Sequence, residues 1–277
     1  MIHVAIISHG HEELLISSAL GGLLDAANAP IGLPHLKIWV KDNRPSASLK
    51  AYCETHQVFY TDADAGLGFG ENNNYLFDLI HTNTGFKDND LFLVMNPDIT
   101  VTPETVFTLA KNMRETGQAL ATLNLYRDSQ MAITDNNIRR FPGLRSIIKI
   151  PLTHTFSETY DKERIAASSD NIPVEWASGA FLAFTPKLYQ NLGGFDPSYF
   201  MYFEDVDICY RAIRYHGEAV HYYPHLKAIH SAAHKNRNIF SQHAMWFFHS
   251  FLKFLLRRYL HLRPARSGIK SDSSRLS

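Results

Sequence analysis

Through its first half the chain alternates between strand-like and helix-like patterns, and this restricts the fold more than any other feature. Residues 3–7, 36–40, 57–60, 91–95 and 119–123 read as short apolar strands. Between them, residues 12–27, 47–55, 75–80 and 103–115 have helical spacing. Residues 64–74, DAGLGFGENNN, read as a Gly/Asn-rich turn leading into the third helix. Strands separated by helices of this length predict a mixed, mostly parallel α/β sheet with helices on both faces. In such sheets ligands bind beyond the carboxyl ends of the strands. Three strands end in residues that can do chemistry: Ser8-His9-Gly10, Lys41-Asp42-Asn43 and Asn96-Pro97-Asp98.

The second half is less regular. Residues 127–174 are polar and contain the basic run Arg139-Arg140-Phe141-Pro142, which reads as a long loop over the ligand-binding edge. Strand character returns at Trp176 in ASGAFLAF. A helical segment, FEDVDICYRAIRYHG, ends at Gly217. Residues 219–223 and 227–230 read as two short strands, and residues 239–260 as a long helix before a Ser-rich tail.

Of 277 residues, 45% are hydrophobic, enough for one large core or two packed lobes. The two cysteines, Cys53 and Cys209, form neither a metal spacing nor a disulfide framework, so a reducing compartment is expected. The opening residues read as a strand rather than a leader, and no uncharged apolar run reaches transmembrane length. The formal net charge is zero, yet after Glu218 there are ten Lys or Arg and one acid. A basic end of this kind meets something anionic, either a membrane surface or nucleic acid.

At Asn96-Pro97-Asp98, two oxygen-bearing side chains at i and i+2 can reach one site. A hard divalent cation accepts such ligands and keeps positions open for phosphate oxygens and water. The same residues also suit an ordinary turn. With its place at the ligand edge, this segment resembles family 2 glycosyltransferases of the GT-A fold, in particular their rhamnosyltransferase-like branch. The likeness runs from about His3 to His230. Lys41-Asp42-Asn43 resembles the family's V-D-N, GLGFGENNN its G-F-G-x-x-N, and Gly179-Ala180-Phe181 its G-A-F segment. GGFDPSYFMYFEDVDICYRAIRYHG resembles its longest conserved block.

The resemblance implies a role for each segment. Asp98 would contact a divalent metal, Mg2+ or Mn2+, and the donor diphosphate, with Asn96 beside it. His230 would complete the metal site, with His234 as the fallback. Ser8 and Asp42 would bind the nucleotide base, Gly70 and Asn73 the nucleotide sugar or diphosphate, and Gly179 would leave room for the donor sugar. Asp205 would be the catalytic base, with Glu204 orienting it. Asp207 and Arg211, at i and i+4, read instead as an ion pair bracing the helix. Residues 1–125 would then be the nucleotide-sugar half, 126–238 the acceptor half of the same domain, and 239–277 an amphipathic helix with a basic tail.

The implied reaction is inverting transfer of a sugar, L-rhamnose from dTDP-L-rhamnose. The acceptor would be a polyprenyl-diphosphate-linked saccharide of a bacterial surface polysaccharide, met at the inner face of the cytoplasmic membrane. A nucleotidyltransferase is the rival enzyme, but Ser8-His9-Gly10-His11-Glu12 lacks the basic residues of a triphosphate loop. A non-catalytic sugar-nucleotide binder is the other alternative. Nucleic acid is not expected as a partner, because no recognisable nucleic-acid module accompanies the basic tail. On a helical wheel Phe247, Phe248, Phe251, Leu252, Phe254, Leu255, Tyr259 and Leu262 share one broad face. Lys253 and Arg257 fall opposite, with Arg263 and Arg266 beyond. That face suits either the core or an anionic membrane surface.

Overall fold

The computed structural model describes residues 1–24, 36–147, 156–231, 242–262 and 264. Residues 25–27 of the first expected helix, His234, the start of the last helix, Arg263, Arg266 and the Ser-rich tail lie outside them. The chain forms β1 (Ile2–Ser8), β2 (Leu36–Asp42), α1 (Ala47–Thr55), β3 (Phe59–Thr61), α2 (Phe69–Asn83), β4 (Leu91–Met95) and β5 (Ile99–Thr100). Then come α3 (Pro103–Thr116), β6 (Leu120–Tyr126), β7 (Ile138–Arg139), α4 (Lys162–Ser168), β8 (Ile172–Val174), β9 (Trp176–Ala177) and β10 (Phe181–Phe184). The chain continues through α5 (Pro186–Asn191), α6 (Glu204–His216), β11 (Val220–His230) and α7 (Gln242–Leu260). After β1, a helical run passes through a π-helical stretch at Ile16–Leu20.

The main sheet is mixed, in the order β3-β2-β1-β4-β10-β6-β11-β5, with β8 also paired to β11. The parallel part is the one the first half predicted: β2 and β4 flank β1, and β3 adds to β2. From the second half, β10 inserts antiparallel between β4 and β6. That insertion sets Ala180 next to Asn96, whose N–H donates to the Ala180 carbonyl at 2.9 Å. The second-half strands thereby meet the carboxyl end of β4.

Strand side chains alternate between two cores, as a pleated sheet requires. Leu91, Leu93 and Met95 face one core with Val106 and Leu109 of α3. Phe92 and Val94 face the other with Phe77 of α2, Tyr189 of α5 and Ile208 of α6. Two boundaries differ from the sequence reading. α2 starts at Phe69, inside the expected turn, because its asparagines bond locally: Asn72 Nδ2 donates to the Leu67 and Gly68 carbonyls, and Asn73 Nδ2 to that of Phe69. The two expected strands at 219–230 are one strand, β11, with an irregularity between Tyr223 and Lys227 around Pro224.

The largest departure concerns α7. Its apolar residues do not share one face: Phe251, Phe254 and Leu255 are buried, while Phe248, Leu252 and Tyr259 are exposed. Arg257, expected opposite the apolar face, is buried and pairs with Asp196 and Asp207. Asp207 also pairs with Arg211 at 2.7 Å, the expected i,i+4 brace. The Arg211 guanidinium donates to the Leu192 and Gly194 carbonyls at 2.6 and 2.8 Å. The inner face of α7 is therefore core, held by buried charges as well as aromatic packing. Removing one partner of a buried ion pair typically costs ~3–5 kcal/mol, because a buried charge is left uncompensated. Arg257→Ala should lower urea-unfolding stability by about that much. Lys111→Ala, which breaks the exposed pair with Glu115, should change it by less than ~1 kcal/mol. Equal, small effects would show that the buried network does not hold the helix.

Candidate active site

The end of β11 meets the turn after β4. His230 Nδ1 lies 2.7 Å from Asp135 Oδ2, and its Nε2 lies 3.4 Å from Asp98 Oδ2. A carboxylate on Nδ1 fixes that nitrogen as the donor and leaves Nε2 as a potential ligand. Burial pulls the His230 pKa down, but the Asp135 hydrogen bond and the Asp98 charge outweigh it, and the value is raised. Burial pushes the Asp135 pKa up, but His230, Asn136 N–H and Arg127 bring it down to about 2.

Asp98 Oδ1 is buried and has no hydrogen-bond partner. An orphaned carboxylate oxygen beside an imidazole Nε2 fits a divalent cation. Among the described residues no group of three or more His, Cys, Asp or Glu side chains forms a metal site. Two protein ligands would leave positions for diphosphate oxygens and water. The Asn96 side chain projects from the same turn, half-buried.

Glu204 and Asp205 occupy the first turn of α6. The approach is strained: Tyr202 and Phe203, neither a glycine, both have φ of +68°. A non-glycine residue in that region costs of order 1–3 kcal/mol, and such residues cluster at functional sites. Asp205 Oδ2 accepts from Gly179 N–H at 3.0 Å, and Oδ1 from Val206 N–H at 2.8 Å. Burial raises the Asp205 pKa above the usual carboxylate range, against those two hydrogen bonds. Glu204 is buried beside it with Oε2 unpartnered, and its pKa is raised well above the usual value by burial and then by the Asp205 charge.

Both residues line a cavity of about 210 Å³ together with His230, Asp135, Arg127 and Arg139. Partnered acids, an imidazole and arginines in one cavity suit a reaction that removes a proton near a polyanionic leaving group. Asp135 and Arg127 escaped the sequence reading, and Arg139 was noted only as part of a basic loop run, because the stretch after β6 has no hydrophobic period to mark a position.

The residues expected on the nucleotide side, Ser8, Asp42, Gly70 and Asn73, are buried. Ser8 keeps its place at the end of β1, buried, with an unpartnered Oγ. Asp42 is fully buried and holds its own turn: it accepts from Arg44 N–H, Ser46 N–H and the Tyr60 hydroxyl. These bonds give Asp42 a turn-holding role.

Gly70 and Asn73 also take structural positions. Both sit inside α2 and are buried, not in an open loop. A Cβ on Gly70 would stand 2.7 Å from Phe195 Cβ, so its smallness serves packing. The Asn73 amide bonds back to Phe69 and the side chain is fully buried. At Gly179 a Cβ would lie 3.0 Å from Phe69 Cε1 and 3.5 Å from Asp205 Cβ. Gly179 thus admits the Phe69 ring and lies against Asp205.

The chain is similar to known glycosyltransferases. The family described as "Glycosyltransferase like family 2" matches residues 125–249. The chain is 33% identical over 258 residues to "Rhamnosyltransferase WbbL" of Escherichia coli (strain K12), covering 93% of this chain and 94% of that protein. It is 28% identical to the "N-acetylglucosaminyl-diphospho-decaprenol L-rhamnosyltransferase" of Mycobacterium tuberculosis (strain CDC 1551 / Oshkosh), over 70% of this chain and 64% of that one.

Among solved structures, GalNAc-T7 with UDP, GalNAc and Mn2+ superposes with a TM-score of 0.64 at 11% identity, over 93% of this chain and 47% of that one. Mannosyltransferase PcManGT from Pyrobaculum calidifontis with GDP-Man and Mn2+ gives 0.54 at 14% identity, over 85% and 58%. At such identities these two speak for the fold alone. With the E. coli relative matched over nearly its whole length, the chain belongs to the family 2 glycosyltransferases and has the GT-A fold.

Proposed function

We propose that this enzyme transfers L-rhamnose from dTDP-L-rhamnose, with inversion, to a diphospho-lipid-linked saccharide for a bacterial surface glycan. The observation that carries the reaction is the shared cavity, with Asp205 in one wall and His230, paired to Asp98, in another. The sugar and acceptor classes rest on the printed names of the two rhamnosyltransferase relatives.

In this reading the donor diphosphate lies at Asp98 and His230, with Ser8 Oγ facing the nucleotide. A divalent cation held there would offset the charge that grows on the departing diphosphate. Asp205 takes the proton from the acceptor hydroxyl as that oxygen attacks the anomeric carbon from the opposite side. The Gly179 and Val206 N–H groups fix its carboxylate for that task. Glu204, buried beside it, holds its own proton more tightly because of burial and the Asp205 charge, so the negative charge of the pair rests on Asp205. One displacement inverts the anomeric centre, so no covalent sugar intermediate on the protein is required.

The membrane part rests on α7. Its outer face exposes Met245, Phe248, Leu252, Leu256 and Tyr259. The sequence around and beyond it is strongly basic, which suits anionic lipid. Among the described residues no helix is long and apolar enough to cross a membrane. The enzyme would lie on the inner face of the cytoplasmic membrane, where a lipid-linked acceptor is confined.

A panel of nucleotide sugars, scored for slow hydrolysis with Mn2+, tests the donor: dTDP-L-rhamnose should be consumed fastest, and preference for another sugar would refute the assignment. Asp205→Asn should lower the transfer rate by ~10²–10⁴-fold. The base acts ionised and its pKa is raised, so the wild-type rate should fall on acidification at a pH above the usual Asp value of ~3.9. That limb should vanish in Asp205→Asn, and a variant of wild-type rate would remove Asp205 as the base. Leu252→Glu with Leu256→Glu, both on the exposed face, should abolish co-sedimentation with anionic liposomes at low salt. Unchanged sedimentation would exclude α7 as the membrane face.

A further inference from the structure

A second, larger cavity of about 920 Å³ opens beside α7 and takes no part in the chemistry above. Arg140, Arg145 and Arg258 line it. Phe156 lines both this cavity and the one that holds Asp205, so the two adjoin. The basic run after β6 serves them in turn: Arg139 lines the catalytic cavity, and its neighbour Arg140 the outer one.

The outer wall is built to hold its arginines in place. Glu175 accepts from Phe141 N–H at 2.6 Å and from Arg140 Nη1 at 3.4 Å, which orients that guanidinium. Arg258 Nη1 donates to the Phe141 and Pro142 carbonyls at 3.1 and 2.7 Å and ties the loop to α7. Arg145 is exposed. The Ser157 hydroxyl, also in the lining, is buried without a hydrogen-bond partner. Two acids, Glu158 and Glu175, share the lining, so three guanidinium groups face two carboxylates. On the far side, Tyr259 leads into the exposed apolar stripe of α7, with Leu144 exposed beside it.

From base to surface the order is a small polar cavity, a guanidinium-lined cavity, then apolar side chains. A saccharide joined through a diphosphate to a hydrocarbon chain presents sugar, anion and apolar tail in the same order. Arginine is well suited to diphosphate oxygens, because its planar fork donates two parallel hydrogen bonds. We propose that this cavity is the subsite for the diphosphate of a lipid-linked acceptor, with the hydrocarbon chain leaving along the outer face of α7. The subsite rests on the functional reading above for its sugar end, but not for its anion.

Two experiments separate the two claims. Calorimetry with farnesyl diphosphate in EDTA, where no cation can bridge it to Asp98, reads the subsite alone. Wild type should bind it, Arg145→Glu should weaken binding about tenfold or more, and Arg140→Gln with Arg145→Glu should weaken it further. Farnesol should bind all three proteins alike. Arg145 is exposed, so its substitution does not endanger the fold. Equal affinities for farnesyl diphosphate in wild type and both variants, or no binding by wild type, would overturn the subsite.

The second experiment compares transfer from dTDP-L-rhamnose to farnesyl-diphospho-N-acetylglucosamine and to octyl N-acetylglucosaminide. The kcat/KM ratio favouring the diphosphate acceptor should fall about tenfold or more in Arg145→Glu. An unchanged ratio, even with both rates reduced, would also overturn the subsite. Binding of farnesyl diphosphate without transfer to either acceptor would leave the subsite standing and refute the rhamnosyltransferase reading.

Discussion

The helix that carries Asp205 depends on one buried knot of charge. Asp207, two residues after Asp205, meets Arg211 from its own helix and Arg257 from α7, and Arg257 also binds Asp196. Arg211 closes the knot on the carbonyls of Leu192 and Gly194. Each charge is costly to bury alone and tolerable only with all partners present. The knot therefore fixes the first turn of α6 relative to the Gly193-Gly194 turn and to α7. The left-handed backbone at Tyr202 and Phe203 is held open by the same packing, with Phe203 against Phe247, Phe251 and Phe254. Rigidity at this point lets Gly179 and Val206 present their N–H groups to Asp205.

The knot also gives α7 two jobs. A helix apolar on both sides is normally buried all round or seated in a membrane. Here the inner side is core and the outer side stays open, bordered by the arginine-lined cavity. Removing the helix to test membrane binding would leave Asp196 without its Arg257 partner in the core. Substitutions on the outer face are the informative ones.

Legibility in the sequence followed the kind of signal each residue carried. The parallel half of the sheet was readable because its strands and helices have clean periods and β4 is apolar along its whole length. Asp205, Asp98 and His230 stood out because motifs place them at element ends, and the structure brings Asp98 to His230 and His230 into the Asp205 cavity. At Asp42, Gly70 and Asn73 the local role left no trace in the sequence: a polar or small residue near a ligand edge looks the same whether it faces the ligand or satisfies its own backbone. Asn74, passed over, accepts from Phe195 N–H and Tyr189 and donates to the Phe195 carbonyl, a tertiary role with no local trace. Arg257 was misplaced because a wheel scores hydrophobicity and cannot see two carboxylates arriving from distant segments. Asp135 lay in a loop with no period to read.

In the proposed mechanism labour is divided: Asp98 and His230 would hold the donor diphosphate through a cation, and Asp205 would act on the acceptor alone. Calorimetric titration with dTDP, with and without Mn2+, tests this division in three proteins. Wild type should bind dTDP more tightly with Mn2+. Asp98→Ala should lose that gain, and Asp205→Asn should keep it in full. A metal-dependent gain that survives in Asp98→Ala, or disappears in Asp205→Asn, would contradict the account.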